Sequence, residues 1–302
     1  MRLFPTVFLL LAAAAQPAGA RTLPQPLGPL WTNGPAALEV TACTPSPEND
    51  RYCRGIALRR GSRLERIGEG YLTVDLLWTR KRAGSGPALF VRGSSGGSGG
   101  NGDLFAIDPA SPTGVQKLCW NRADTVTVGR DPTRLRFEAP FVVGFFNGAP
   151  HAGDTLVPLP LVWAGGAFRL DLAALTARRW SATEIDFRRL AMREELSRWA
   201  ADVYPADRLY PPEAQSGTQV TAKALSDLIL TGHADLARTL LDEAWPRSLV
   251  RDEGKIGGVD AFWSGLCAAI VRNQAWRRFG LDRLPHASRV LAGAAQAHGA
   301  AA

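Results

Sequence analysis

Histidine, lysine and cysteine are all scarce in this 302-residue chain, with four of each. Each scarcity excludes a chemistry. The first His is His151, so no imidazole precedes the Ser-rich stretch near residue 95. A His–Asp–Ser chain order is thereby ruled out for a serine nucleophile there. None of Lys81, Lys117, Lys223 and Lys255 stands in a G-K-[ST] sequence, which removes a Walker-type phosphate loop. Cys43, Cys53, Cys119 and Cys267 contain no C-x2-C spacing, and no His cluster accompanies them. A zinc site is therefore not expected, nor any other metal or cofactor. After the first 20 residues no stretch approaches 18 uninterrupted apolar residues, so no transmembrane segment is expected.

What is present begins with Met1–Ala20. Arg2 supplies a charged start, Leu3–Ala15 an apolar run, and Ala18-Gly19-Ala20 a small-residue cleavage site. This is the pattern of an export signal, and it predicts a periplasmic or secreted protein beginning at Arg21. The chain carries 35 Lys+Arg against 28 Asp+Glu, a net charge of +7. A GC-rich coding sequence by itself favours Arg over Lys. The functional reading of the same charge is attraction to an acidic polymer or an anionic membrane surface. Clusters such as Arg59-Arg60, Arg80-Lys81-Arg82 and Arg277-Arg278 are too short and scattered to predict a nucleic-acid partner.

Residues 21–35 are rich in Pro and Gly and read as an extended lead-in. Over 36–171 short apolar or alternating runs are cut by turn residues. Leu38–Cys43, Gly55–Leu58, Arg63–Ile67, Tyr71–Trp78, Pro87–Arg92, Leu104–Asp108, Arg134–Glu138, Phe141–Phe146, Leu156–Trp163 and Ala167–Leu170 read as strands. Pro158 and Pro160 mark part of Leu156–Trp163 as edge or irregular strand. No helix interleaves these runs, so an antiparallel sandwich or barrel-like unit is expected. At Asp171 the apolar period changes to 3.6. Asp171 caps a short helix, and Ser181 with Glu184 forms a capping box for a longer one reaching about Ala201. Helices are predicted over Val220–Leu230, His233–Trp245 and Val259–Val271, with a Pro-rich loop at Tyr204–Gly217. The fold class is therefore α+β: a β sandwich or barrel-like domain over 36–171, a small helical domain over 172–284, and a disordered Ala-rich tail over 285–302.

The segment Gly93–Asp103 is the one stretch whose composition packing does not explain. Ser95 and Ser98 both fit G-x-S-x-G. Backbone N–H groups of such a loop cradle phosphates, and Asn101 with Asp103 suggests a metal loop. The plain alternative is a solvated connection, since Gly and Ser runs generate these matches by chance. For a Ser–Asp–His order the imidazole would be His233, with Asp154 or Asp171 between. His151 reads as a turn residue and His233 as a helix start. Trp78, Trp120 and Trp163 are candidate stacking platforms for sugars, or else packing residues. Gly232–Asp242 is similar to the second helix of an ankyrin or TPR hairpin, for a single unit only. Four Cys in an exported chain predict disulfides. Cys43 and Cys53 flank a turn-rich loop and form the first expected bond. Cys119–Cys267 is a second candidate bond.

The Gly/Ser loop leading into Asp103–Asp108, together with the helical tail around Asp242-Glu-Ala-Trp-Pro246, resembles uncharacterised exported bacterial proteins of the envelope. The resemblance implies a periplasmic address and assigns no activity and no catalytic residue. The sequence thus favours a non-enzymatic envelope protein binding a glycan, an acidic polymer or a partner protein through its β-rich domain. The alternative is a serine-type hydrolase using Ser95 or Ser98.

Overall fold

The computed structural model describes residues 26–44, 52–79, 89–96, 100–129, 135–144, 155–201, 218–246 and 258–299. Three antiparallel sheets of four strands each come first. The first contains β1 (Pro26–Asn33), β2 (Ala36–Ala42), β3 (Arg54–Arg60) and β4 (Arg63–Tyr71) in chain order. The second contains β5 (Thr73–Thr79), β6 (Leu89–Ser94), β7 (Gly102–Ile107) and β8 (Val115–Trp120). The third contains β9 (Thr127–Val128), β10 (Arg136–Val143), β11 (Thr155–Ala164) and β12 (Ala167–Leu170). Helices follow: α1 (Leu172–Thr176), α2 (Ala182–Ala201), α3 (Gln219–Leu230), α4 (Ala234–Ala244), α5 (Val259–Arg272), α6 (Gln274–Arg278) and α7 (Ala287–Gly299). The expected α+β class is the observed one.

The second sheet lies in the middle because its strands are apolar on both faces. Successive side chains of a strand point to opposite sides. Leu89, Val91, Phe105 and Ile107 turn one way and pack with Leu38, Ile56 and Leu58 of the first sheet. Phe90, Leu104, Ala106, Leu118 and Trp120 turn the other way and join the third sheet and the helices in one larger core. Phe90 alone meets the rings of Trp78, Phe137, Trp163 and Phe168. The larger core runs without a break to Ala294 of α7. Asp171 therefore marks a change of secondary structure within a shared core.

Asp171 does cap α1, its side chain accepting from Ala174 N at 3.0 Å. The capping box also forms: Ser181 N donates to Glu184 Oε2 at 2.9 Å, and Glu184 N to Ser181 Oγ at 3.2 Å. Pro158 and Pro160 lie where β11 has a strand on one side only, since β12 pairs with Leu161–Ala164 alone. The predicted loop at Tyr204–Gly217 lies outside the described residues.

Two expectations are corrected. Most of the lead-in is strand β1, paired with β2 through register shifts that accommodate its Pro and Gly residues. The tail expected to be disordered is helix α7, with Ala287, Val290 and Ala294 buried. Small residues let α7 approach α5 closely, and a Cβ on Gly293 would come within 2.8 Å of Trp263 Nε1 and 2.9 Å of Cys267 Sγ. Low hydrophobicity concealed a packing face made of small side chains.

Cys43 and Cys53 are bonded, with Cα atoms 5.5 Å apart. Closing so short a loop stabilises the fold by about 2–3 kcal/mol. The second candidate bond is not formed: Cys119 is an exposed thiol on β8 and Cys267 a buried one on α5. Cys267 packs against α7, whereas Cys119 faces solvent at the edge of the middle sheet.

Gly293→Val is predicted to destabilise the protein by about 1–3 kcal/mol through overpacking at the α5–α7 contact. Denaturant unfolding monitored by tryptophan fluorescence checks this. Unchanged stability would mean that α7 is not seated against Trp263.

Candidate functional site

A group of titratable side chains around a buried carboxylate sits at the base of the Gly/Ser hairpin. Register places Gly93, Asp103 and Cys119 side by side across β6, β7 and β8. Period two then puts Lys117 on the same face as Cys119. Tyr71, at the end of β4, lies flat over Gly93. A Cβ there would be 2.7 Å from the Tyr71 ring, so only glycine fits beneath it. The Tyr71 hydroxyl donates to Asp103 Oδ2 at 2.5 Å, and Lys117 Nζ lies 2.9 Å from the same oxygen. Cys119 stands opposite Asp103 in the register, and that carboxylate raises its thiol pKa.

A buried carboxylate is costly unless paired. Asp103 is 7% exposed and draws on the Tyr71 hydroxyl and the Lys117 ammonium. Its neighbours feel the carboxylate in turn. Burial, then the hydrogen bond to Asp103, pushes the Tyr71 hydroxyl well above its ordinary pKa. Asp103 and partial burial push the Cys119 thiol up, while Lys117 and Arg278 pull weakly the other way. Tyr71 and Cys119 therefore stay protonated at neutral pH. A thiol held this way is a poor nucleophile, because the thiolate is the reactive form. The cluster acts as a lock joining the β4–β5 corner to the edge strand β8.

Beside Cys119 is a cleft of about 10 Å³, room for a single water. Asn121, Gln274 and Arg278 border it. A second, larger groove of about 490 Å³ lies between α2 and α3, over Phe187, Ala191, Val220 and Ala224. Its charges are internally engaged: Arg188 pairs with Asp227 at 2.9 Å, and Lys223 donates to Leu156 O at 2.6 Å.

The hairpin stem is fixed from both sides. Ser95 is exposed, and both its amide and its hydroxyl donate to Asn101 O, at 2.8 and 2.6 Å. The hydroxyl proton is thus directed at a carbonyl rather than an imidazole. Asn101 is exposed, whereas Asp103 is buried in the lock just described. His233 begins α4, with Nδ1 3.3 Å from Thr231 Oγ1, and burial lowers its pKa. Ser98 and His151 lie outside the described residues. The three Trp candidates face inward. Trp120 is buried and donates to Pro140 O, Trp78 packs on Phe90, and Trp163 packs on Phe90 and Phe168.

Sequence reasoning missed Tyr71, Lys117 and Arg278 as parts of one locality. One signal was present. Period two places Asp103 on the same face as Phe105 and Ile107, and a charge on an apolar stripe implies a buried partner.

Tyr71→Phe is predicted to cost about 1–3 kcal/mol at neutral pH by removing a donor from a buried carboxylate. Because the fold raises the Tyr71 pKa, the hydroxyl's contribution is complete below the ordinary tyrosine value of about 10 and fades as pH rises above it. The stability gap between wild type and variant should narrow in that alkaline range. A gap that stays constant would contradict the buried neutral hydroxyl.

Thiol titration with an aromatic disulfide provides a second check. Cys119 should react slowly in the native protein. Cys267, pushed up to about 12 by burial, should react only on unfolding. Asp103→Asn should accelerate the Cys119 reaction at neutral pH by removing the charge that opposes the thiolate. An unchanged or slower rate would sink that explanation.

Comparison with known protein families, with curated proteins and with solved structures found no match to this chain, so its functional reading rests on its own chemistry.

Proposed function

We propose that the protein is an exported, non-enzymatic envelope protein that binds an acidic polymer. One observation carries the non-enzymatic part. The described nucleophile candidates are unactivated: Ser95 gives its proton to a backbone carbonyl, and Cys119 is held as a neutral thiol. Export is supported by the signal-like Met1–Ala20 and by the Cys43–Cys53 bond, which suits an oxidising compartment. Acidic polymer is preferred over neutral glycan for two reasons. Trp78, Trp120 and Trp163 are engaged in internal packing, and the chain carries net positive charge.

Three outcomes are expected when the full chain is expressed in a bacterial host. Intact mass of the periplasmic fraction should begin at Arg21. The protein should be retained on an immobilised acidic polysaccharide at low salt and released at high salt, as screening requires. A serine-reactive fluorophosphonate should leave it unlabelled. Labelling that disappears in Ser95→Ala or Ser98→Ala would replace this reading with the hydrolase one.

A further inference from the structure

Between the end of α5 and the turn before α7, the chain packs four exposed arginines into twelve residues. They are Arg272, Arg277, Arg278 and Arg283, with Asp282 as the one acid among them. None of the four makes an ion pair among the described residues. Elsewhere the arginines are mostly engaged: Arg59 with Glu39, Arg92 with Asp75, Arg188 with Asp227, Arg238 with Asp242.

The backbone holds the last three of them together. Gly280 N donates to Arg277 O, and Arg283 N donates back to Gly280 O, folding the segment into a tight corner. The corner is anchored from beneath. Trp276 is buried, and Asn273 Nδ2 donates to Val142 O of β10 at 2.7 Å. Arg278 borders the cleft beside Cys119 and Asn121, so the corner adjoins the end of the edge strand β8.

Arg272 lies in the last turn of α5, and Arg277 and Arg278 in that of α6, where a cation suits the helix dipole. That preference needs no hydrogen bond to the guanidinium group and leaves its donors open. A guanidinium fork matches a carboxylate in two-point fashion.

We infer that this corner is the docking surface for a carboxylate-bearing acidic polysaccharide, an inference that rests on the acidic-polymer reading above. A single small anion is a poor fit, because the adjoining cleft has room for one water and the charges are spread along the corner. A membrane surface is also a poor fit. Basic segments that lie on membranes insert apolar side chains. Here Trp276, Leu281 and Leu284 are buried beneath the arginines. A chain with a carboxylate on successive sugars offers one acid to each guanidinium in turn.

The test uses the full-length protein and polygalacturonate as the probe. One variant carries Arg272→Gln, Arg277→Gln, Arg278→Gln and Arg283→Gln. A control variant removes the same net charge elsewhere, with Arg54→Gln, Arg63→Gln, Arg169→Gln and Arg179→Gln. The corner variant should bind at least about tenfold more weakly, and the control should lose much less. Thermal melting of both variants confirms that each remains folded. Equal losses in the two variants would overturn the inference while leaving the acidic-polymer reading standing. Wild-type protein that ignores polygalacturonate but binds anionic phospholipid vesicles would overturn both.

Discussion

The middle sheet must satisfy two neighbours at once, and most of the architecture follows from that. In β6 and β7 the runs Leu89-Phe90-Val91 and Leu104-Phe105-Ala106-Ile107 bury successive side chains on opposite faces. Each fully buried large apolar side chain is worth about 1.5–3 kcal/mol relative to exposure. Neither face can be left to water, so a sheet must lie on one side and a sheet with helices on the other. The first sheet covers one face with Leu38, Ile56 and Leu58. The third sheet and the helices together cover the second face.

The same constraint explains why buried carboxylates inside the β layers are paired. Asp103 stands on a face otherwise given to Phe105 and Ile107, and Tyr71, Lys117 and Cys119 converge on it. Arg92 reaches both Asp75 and the carbonyls of Asp124 and Val126, tying β6 to the turn at Ala123–Thr125. Charge that is locked in this way is structural. Arg272, Arg277, Arg278 and Arg283, around α6, are instead exposed and make no ion pair among the described residues.

Local chemistry was legible in the sequence, and non-local completion was not. Asp171, Ser181 and Glu184 act within one helical turn of themselves, so their sequence neighbours suffice to place them. Cys43 and Cys53 bracket a short loop, and proximity along the chain becomes proximity in space. Strand β1 escaped because its Pro and Gly residues disfavour a regular ladder, and only the shifted pairing with β2 makes room for them. Helix α7 escaped because Ala and Gly show little amphipathic contrast, yet small side chains are what a close contact with Trp263 and Cys267 requires. The start of α3 is capped from outside: Glu195 of α2 accepts from Val220 N and Thr221 N at 3.0 and 2.7 Å. No pattern near residue 220 announces a cap that arrives from another helix. The Trp residues stayed open between platform and packing for a similar reason, since aromatic side chains on strands serve surfaces and cores alike until the opposing layer is known.

The central claim is that one continuous core joins the middle sheet to the helices. Native-state hydrogen exchange tests it most directly. Amides of β6 and β7 and those of α5 should exchange through the same global opening, with equal free energies and equal denaturant dependence. Exchange of α5 through a separate, cheaper opening that leaves β6 and β7 protected would contradict the account.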